Sequence, residues 1–244
     1  MSPARRHRLR TVAAHHAAAV ADPIGAAVAE GATEYELLRA ALGVDLRRLR
    51  EIQSVEAKIA LKPALIEKFE PWLAGIVAAN AGGHDDILVQ VMIWKIDVGD
   101  FIGAMPLIDY VLRHRLQLPE RFNRTAPTLI VEEIADAALK ALGAHQDYDL
   151  QLLQTIEPIA NDYDMPDQVR SKLHKAIGLQ IVRITEATPP EQLPADGRRA
   201  GVQAALNYLR RAYGLSHTAG VKKDIDRLER ELKKLETETE QPAV

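Results

Sequence analysis

The sequence predicts an all-α fold, and three observations carry that prediction. Apolar residues recur every three or four positions through long stretches, the period of a helix with one buried face, while β-branched runs of period two are few. Ala and Leu, both good helix formers, carry much of a hydrophobic fraction of 47%. Aromatic residues contribute only 5%. In a chain of 244 residues this suffices for a sizeable core, in one large domain or two small ones. The expected architecture is a helical bundle with degenerate tetratricopeptide-like helix pairs. A long amphipathic helix should stand near its N-terminus, and a short coiled-coil-like helix should close it.

The first element is a basic arm. Residues 1–20 contain Arg5, Arg6, Arg8 and Arg10, three histidines and no acid. An Arg-rich, acid-poor opening suits an organelle transit peptide or an arm that grips phosphate, and it lacks the apolar block of a secretory signal. The arm is the preferred reading. Asp22-Pro23-Ile24-Gly25 should break this first helical run, and Thr33 with Glu36 has the offset of a capping box. Leu38, Leu42, Leu46, Leu49, Ile52, Val55 and Ile59 then keep helical spacing through to Lys62-Pro63, so one long amphipathic helix is expected over 34–62. Its polar face carries Arg39, Arg47, Arg48, Arg50, Lys58 and Lys62, which suits the backbone of a duplex. A solvated face paired with acids such as Glu51 and Glu56 explains the same residues.

Pro63 and Pro71 punctuate two short helices, the second running 71–79, and Ala81-Gly82-Gly83 ends it. The densest apolar segment, Asp85 to Met105, reads as two buried helices meeting at Gly99-Asp100, with Asp100 capping the second, which should reach about Leu116. Pro106 should cost that helix a backbone bond and bend it. Residues 118–125 form a basic loop, and a helix from Pro127 should stop at Gly143. Helices are further expected over about 148–160, over 164–185 with Asp164 as N-cap, and over 200–213 with a stop at Gly214. Residues 188–194 make a Pro-rich connection.

Gly99-Asp-Phe-Ile-Gly-Ala104, followed by large apolar residues to Leu112, has the rhythm of the second half of a tetratricopeptide repeat. The rhythm returns in 204–215, with 172–182 as its first helix. Small residues at such positions let helices approach closely. An irregular helical bundle accounts for the same pattern. In the last segment Val221, Ile225, Leu228, Leu232 and Leu235 follow a coiled-coil spacing, with Asp226 and Arg230, then Glu229 and Lys233, as i,i+4 pairs. This zipper spans only about two heptads, so it should dock on the body or associate within an oligomer. The expected organisation is a basic arm over 1–30, a helical DNA-binding and assembly region over 31–82, a helical repeat-like core over 83–216, and the coiled-coil-like helix with a frayed tail over 217–244.

The chemistry is marked by what is missing. There are no cysteines, so disulfides and thiolate metal sites are excluded. No stretch approaches the roughly 20 apolar residues of a membrane span. No phosphate-cradling Gly-x-x-x-x-Gly-Lys loop is present, so ATP hydrolysis is not expected. A divalent-metal nuclease would draw on Asp85, Asp86 or Asp164, but Asp85, Asp100 and Asp164 stand where helix N-caps belong. No metal or cofactor is expected. A formal net charge of −3 leaves DNA affinity to local patches or to several copies acting together.

Three stretches together carry a family resemblance. Asp85-Asp86-Ile-Leu with Met92-Ile-Trp94-Lys, Gly99-Asp100 and Gly103-Ala104 form the first. Met165-Pro166 with Val169-Arg170-Ser-Lys172-Leu173-His174-Lys175 and Gly178-Leu179 form the second, and Ala219-Gly220-Val-Lys222-Lys223 through Leu232 the third. In this order they resemble the small terminase subunit, or M protein, of temperate cohesive-end tailed phages. Pro106 and the 188–194 loop depart from the family pattern. The resemblance implies a role in recognising and cutting the cohesive-end site during genome packaging in the cytoplasm of the bacterial host. Viral double-stranded DNA, the large terminase subunit and further copies in a ring would be the partners. In terminases generally the ATPase and nuclease belong to the large subunit, so the resemblance favours a specificity and regulatory subunit. A subunit that itself cuts DNA, and a helical adaptor with protein partners only, are the alternatives. DNA contact is assigned to the four arginines of the arm and to Arg39, Arg47, Arg48, Arg50, Lys58 and Lys62 of 34–62, and assembly or partner contact to the Val221–Leu235 stripe.

Overall fold

The computed structural model describes residues 1–21, 31–189 and 191–240, with backbone alone at 31–33, 195 and 238–240. Among the described residues every regular element is an α-helix, and no helix is long and apolar enough to cross a membrane. The chain divides into two compact units, Met1–Ala126 and Pro127–Val244.

The first unit is organised around α5 (Asp86–Asp97), in which every residue from Ile87 to Ile96 is buried. An apolar stripe that continues around both sides of a helix has to be covered on both sides. α2 (Gly31–Glu51), α3 (Val55–Ile66) and α6 (Phe101–Arg113) pack on α5, and α1 (Pro3–Ala21) lies against α2 and α4 (Glu70–Ala79). The α5–α6 corner follows the sequence reading. Gly99 takes a left-handed φ of +79°, and Asp100 caps α6 by accepting the Gly103 N–H at 2.9 Å.

α1 meets α4 at very short range, because Gly75 has no side chain. A Cβ there would lie 2.7 Å from Ala13 Cβ and nearer still to the Arg10 carbonyl oxygen. Leu9, Ala13 and Ala17 form the buried face of α1. Residues 3–21 of the basic arm are therefore a docked helix.

Several boundaries differ from the sequence expectation. The run 34–62 is two helices, because Ser54 adopts an extended ψ of 126° and its side chain caps α3 by accepting the Ala57 N–H at 3.2 Å. Pro63 lies inside α3 and does not end it. α6 runs through Pro106, whose missing N–H leaves the Ile102 carbonyl without its usual intrahelical donor, and the helix carries this loss at a residue that is 81% exposed. It stops at Arg113, short of Leu116, because Arg115 turns left-handed at φ +53°. The expected end of the first helical run at Asp22–Gly25 and the Thr33 side chain of the capping box lie outside the described residues.

The second unit holds α7 (Ala126–Gly143) from its second residue on, α8 (Leu150–Asp162), α9 (Asp167–Ala187), α10 (Ala195–Leu215) and α11 (Lys222–Glu240). α9 and α10 form its most extensive pairing, with α8 on α9 and α11 on α10. Ala205 and Ala212 are fully buried, and the Ser171 hydroxyl donates to the Ala212 carbonyl at 2.8 Å. Small residues admit this close approach, as the sequence suggested.

Asp164 does not cap α9; it is exposed, and Pro166 occupies the cap position without a side-chain bond. The Arg170 side chain instead donates to the Ala160 and Tyr163 carbonyls at the end of α8, at 2.8 and 2.9 Å. α10 begins at Ala195, ahead of the expected start, and carries Gly214 within its last turn.

Candidate functional site

The basic residues read from the sequence fall into two sets. Arg5, Arg6, Arg8 and Arg10 are exposed on α1, whose apolar face is sealed against the body, and no ion pair holds them among the described residues. Arg47, Arg48 and Arg50 are likewise exposed near the C-terminus of α2 and without an acidic partner among the described residues. Cations also suit a helix C-terminus, where the carbonyl ends carry partial negative charge. The other set is neutralised or inset. Arg39 pairs with Asp86 at 3.1 Å, Lys62 pairs with Asp97, and Lys58 is half-buried on α3.

The carboxylates offered as nuclease ligands are occupied with structural work or scattered. Asp85 is 1% exposed; its Oδ1 accepts the Leu88 N–H at 2.7 Å and its Oδ2 accepts the Trp72 indole N–H at 2.9 Å. Burial, opposed by those two bonds, pushes its carboxyl above the ordinary aspartate range. Asp86 faces Arg39 and His84. Asp164 lies in the other unit. Among the described residues no cluster of three His, Asp or Glu side chains is placed to hold a metal ion.

Around Asp85 the chain builds an aromatic wall that sequence reasoning did not find. Tyr35 stacks on His16 with ring centroids 4.3 Å apart and on Trp72 at 5.9 Å. Burial, then the charges of Asp85 and Asp86, push the Tyr35 hydroxyl up to about 12. Burial lowers the His16 pKa against the opposing pull of Asp85. These residues come from α1, α2, α4 and the start of α5, so only the fold brings them together.

A second residue missed individually is Arg121, in the basic loop 118–125. It is exposed, donates to the side-chain oxygen of buried Gln90, and lies over the Phe122 ring. Burial, then the charge of Arg50, hold its guanidinium below the ordinary arginine value.

The leucine stripe is docked within the chain. Val221, Ile225 and Leu228 are buried in a cluster with Val202, Leu206 and Leu209 of α10, and partly buried Leu232 and Leu235 pack against its edge. In the same unit His174 is buried, with Nδ1 3.9 Å from Glu157, which accepts the Tyr208 hydroxyl at 2.9 Å. Burial lowers the His174 pKa.

Comparison with known proteins gives the same family as the sequence resemblance. Residues 39–168 match the family model described as the phage small terminase subunit. The chain is 40% identical over 232 residues to the protein named "Terminase, endonuclease subunit" of Escherichia phage P2, covering 95% of this chain and 86% of that protein. It is 24% identical over 204 residues to the "Probable terminase, endonuclease subunit" of Haemophilus phage HP1, covering 82% and 71%. No solved structure matches. On the extent of the family match and of the identity to the phage P2 protein, this chain belongs to the phage small terminase subunit family.

Proposed function

We propose that this chain is the DNA-recognition and regulatory subunit of a packaging terminase. It binds the cohesive-end packaging site on viral double-stranded DNA in the bacterial cytoplasm, assembles as an oligomer, and recruits the large subunit that carries the ATPase and nuclease. The observation that carries this reading is the contrast in charge use. Arg5, Arg6, Arg8, Arg10, Arg47, Arg48 and Arg50 are exposed and unneutralised among the described residues, while Asp85 and Asp86 are engaged as a cap and an ion-pair partner. Exposed arginines without acids suit a phosphate backbone. A ring of copies would multiply a modest patch by its copy number. Leu232 and Leu235, at the edge of the docked stripe, are the positions through which α11 would meet a second copy or the large subunit.

The test is binding of packaging-site duplex by the purified full chain across a salt series, with light scattering to follow assembly. Affinity should fall steeply as salt rises, and Arg5→Gln combined with Arg8→Gln should weaken it. Salt-insensitive absence of binding would favour a protein-only adaptor.

The names of the two relatives favour a second reading, that this subunit itself cuts DNA. It requires metal-dependent cleavage by the chain without the large subunit, lost in Asp85→Ala, Asp86→Ala or Asp164→Ala. Intact duplex after incubation with magnesium or manganese would remove it.

A further inference from the structure

A cleft of about 270 Å³ opens between α2, the start of α5 and the 118–125 loop, with Arg39, Gly43, Asp86, Gln90 and Arg121 on its walls. Arg39, Gly43, Leu46 and Arg50 follow one another at helical spacing, so they share one face of α2. On the opposite wall, Gln90 is 3% exposed and its side-chain oxygen receives Arg121. A neutral amide thus orients the guanidinium and leaves its charge intact. Among the described residues Asp86 is the one acid on the walls, and it is already paired with Arg39. The cleft keeps an uncompensated positive charge.

Gly43 gives the second indication. A glycine inside a helix weakens it, and this one is not required by packing: a Cβ there would meet nothing nearer than the Arg47 guanidinium at 3.7 Å. The absent side chain leaves the cleft open toward the solvent between two arginine-bearing walls.

We propose that this cleft seats a phosphate of a DNA strand, held by Arg121 on its wall and by Arg50, which stands at its rim one turn beyond the lining residue Leu46, and admitted by the open position at Gly43. The inference rests on the DNA-binding reading above and adds a residue from a different element to it. Gln90 is a positioning residue, acting through Arg121. Two guanidinium groups from separate elements fit a tetrahedral oxyanion better than a lone helix-borne cation, because they approach different oxygens.

The experiment uses the full chain, a fluorescein-labelled mixed-sequence duplex and fluorescence anisotropy over a salt series, with inorganic phosphate titrated by calorimetry in parallel. Arg121→Gln and Arg50→Gln should each weaken duplex binding by about fivefold to tenfold and reduce the slope of log affinity against log salt by about one. Gly43→Phe should weaken binding comparably by filling the cleft. Both arginines are exposed, so these two variants keep the test alive if the Gly43 variant misfolds. Unchanged affinity and slope in both arginine variants, with the Arg5/Arg8 variant still weakened, would overturn the cleft and leave the proposed function standing. Absence of duplex binding by the wild type at low salt would overturn both. Phosphate binding that depends on Arg121, without duplex binding, would assign the cleft to free phosphate and overturn its assignment to DNA.

Discussion

The Trp72 indole N–H donates to Asp85 Oδ2 at 2.9 Å while Asp85 Oδ1 accepts the Leu88 N–H at 2.7 Å, so one buried carboxylate joins α4 to the first turn of α5. Removing it strips a cap and leaves two buried donors unpaired. Asp85→Ala should lower stability by about 2–4 kcal/mol in urea unfolding.

The same group sets a pH dependence. Burial raises the Asp85 pKa in the folded state, so the native protein keeps this proton to a higher pH than the unfolded chain does. Its contribution to stability therefore falls as pH rises from about 3.9 through the folded-state value. Asp85→Asn removes the titration. The advantage of wild type over Asp85→Asn in urea unfolding should grow as pH is lowered from about 7 toward about 4.5, and a gap that shrinks instead would show that the hydrogen bonds outweigh burial.

Asp100 behaves in the opposite sense. Burial raises its pKa, but the hydrogen bonds from Lys95 and Gly103 more than offset that and hold the carboxyl below the ordinary range. The stability it adds is present above the unfolded pKa and lost as pH falls through the folded one. Asp100→Ala should cost about 1 kcal/mol near neutral pH, and Asp100→Ser should recover much of that through its own capping oxygen. Thermal unfolding of the pair checks both.

Gly75 controls how closely α1 seats on α4. Gly75→Ala places a methyl group against Ala13 and the Arg10 backbone, and should cost about 1–3 kcal/mol as an overpacked contact. Because α1 carries the exposed arginines, duplex affinity should drop with it, although no charge has changed. Equal affinity in a destabilised variant would show that the arginines act without the docked geometry.

In the second unit, Leu228 is 1% exposed inside the α10–α11 cluster. Leu228→Ala should cost about 2–5 kcal/mol in denaturant unfolding. Truncation after Gly220 would remove Val221, Ile225 and Leu228 from that core and so report on folding as much as on assembly. Leu232→Ser, at the edge of the cluster, should change light scattering or large-subunit binding with little loss of stability.

How much could be read without coordinates depended on the distance between partners. The Asp85 and Asp100 caps were legible, since each receives its N–H three residues away. Asp164 looked like the same signal, but Pro166 takes the cap position and Arg170 closes the preceding helix. The break after Glu51 hid because Ile52, Val55 and Ile59 continue the apolar period across it, while Ser54 carries the only local mark of a new start. The Arg121–Gln90 contact spans elements that no periodicity links.

The sequence by itself determined the all-α class, the buried α5–α6 corner, the docked character of a leucine-spaced last helix as one of two outcomes, and the family. Those follow from composition, from period and from residues within a turn of one another. Only the tertiary structure decided that the basic arm is a helix sealed onto α4, which arginines stay unneutralised among the described residues, and that Val221, Ile225 and Leu228 belong to the core. The reason is physical: a charge or an apolar face acquires its role from what lies across from it, and that partner is chosen by packing between distant segments.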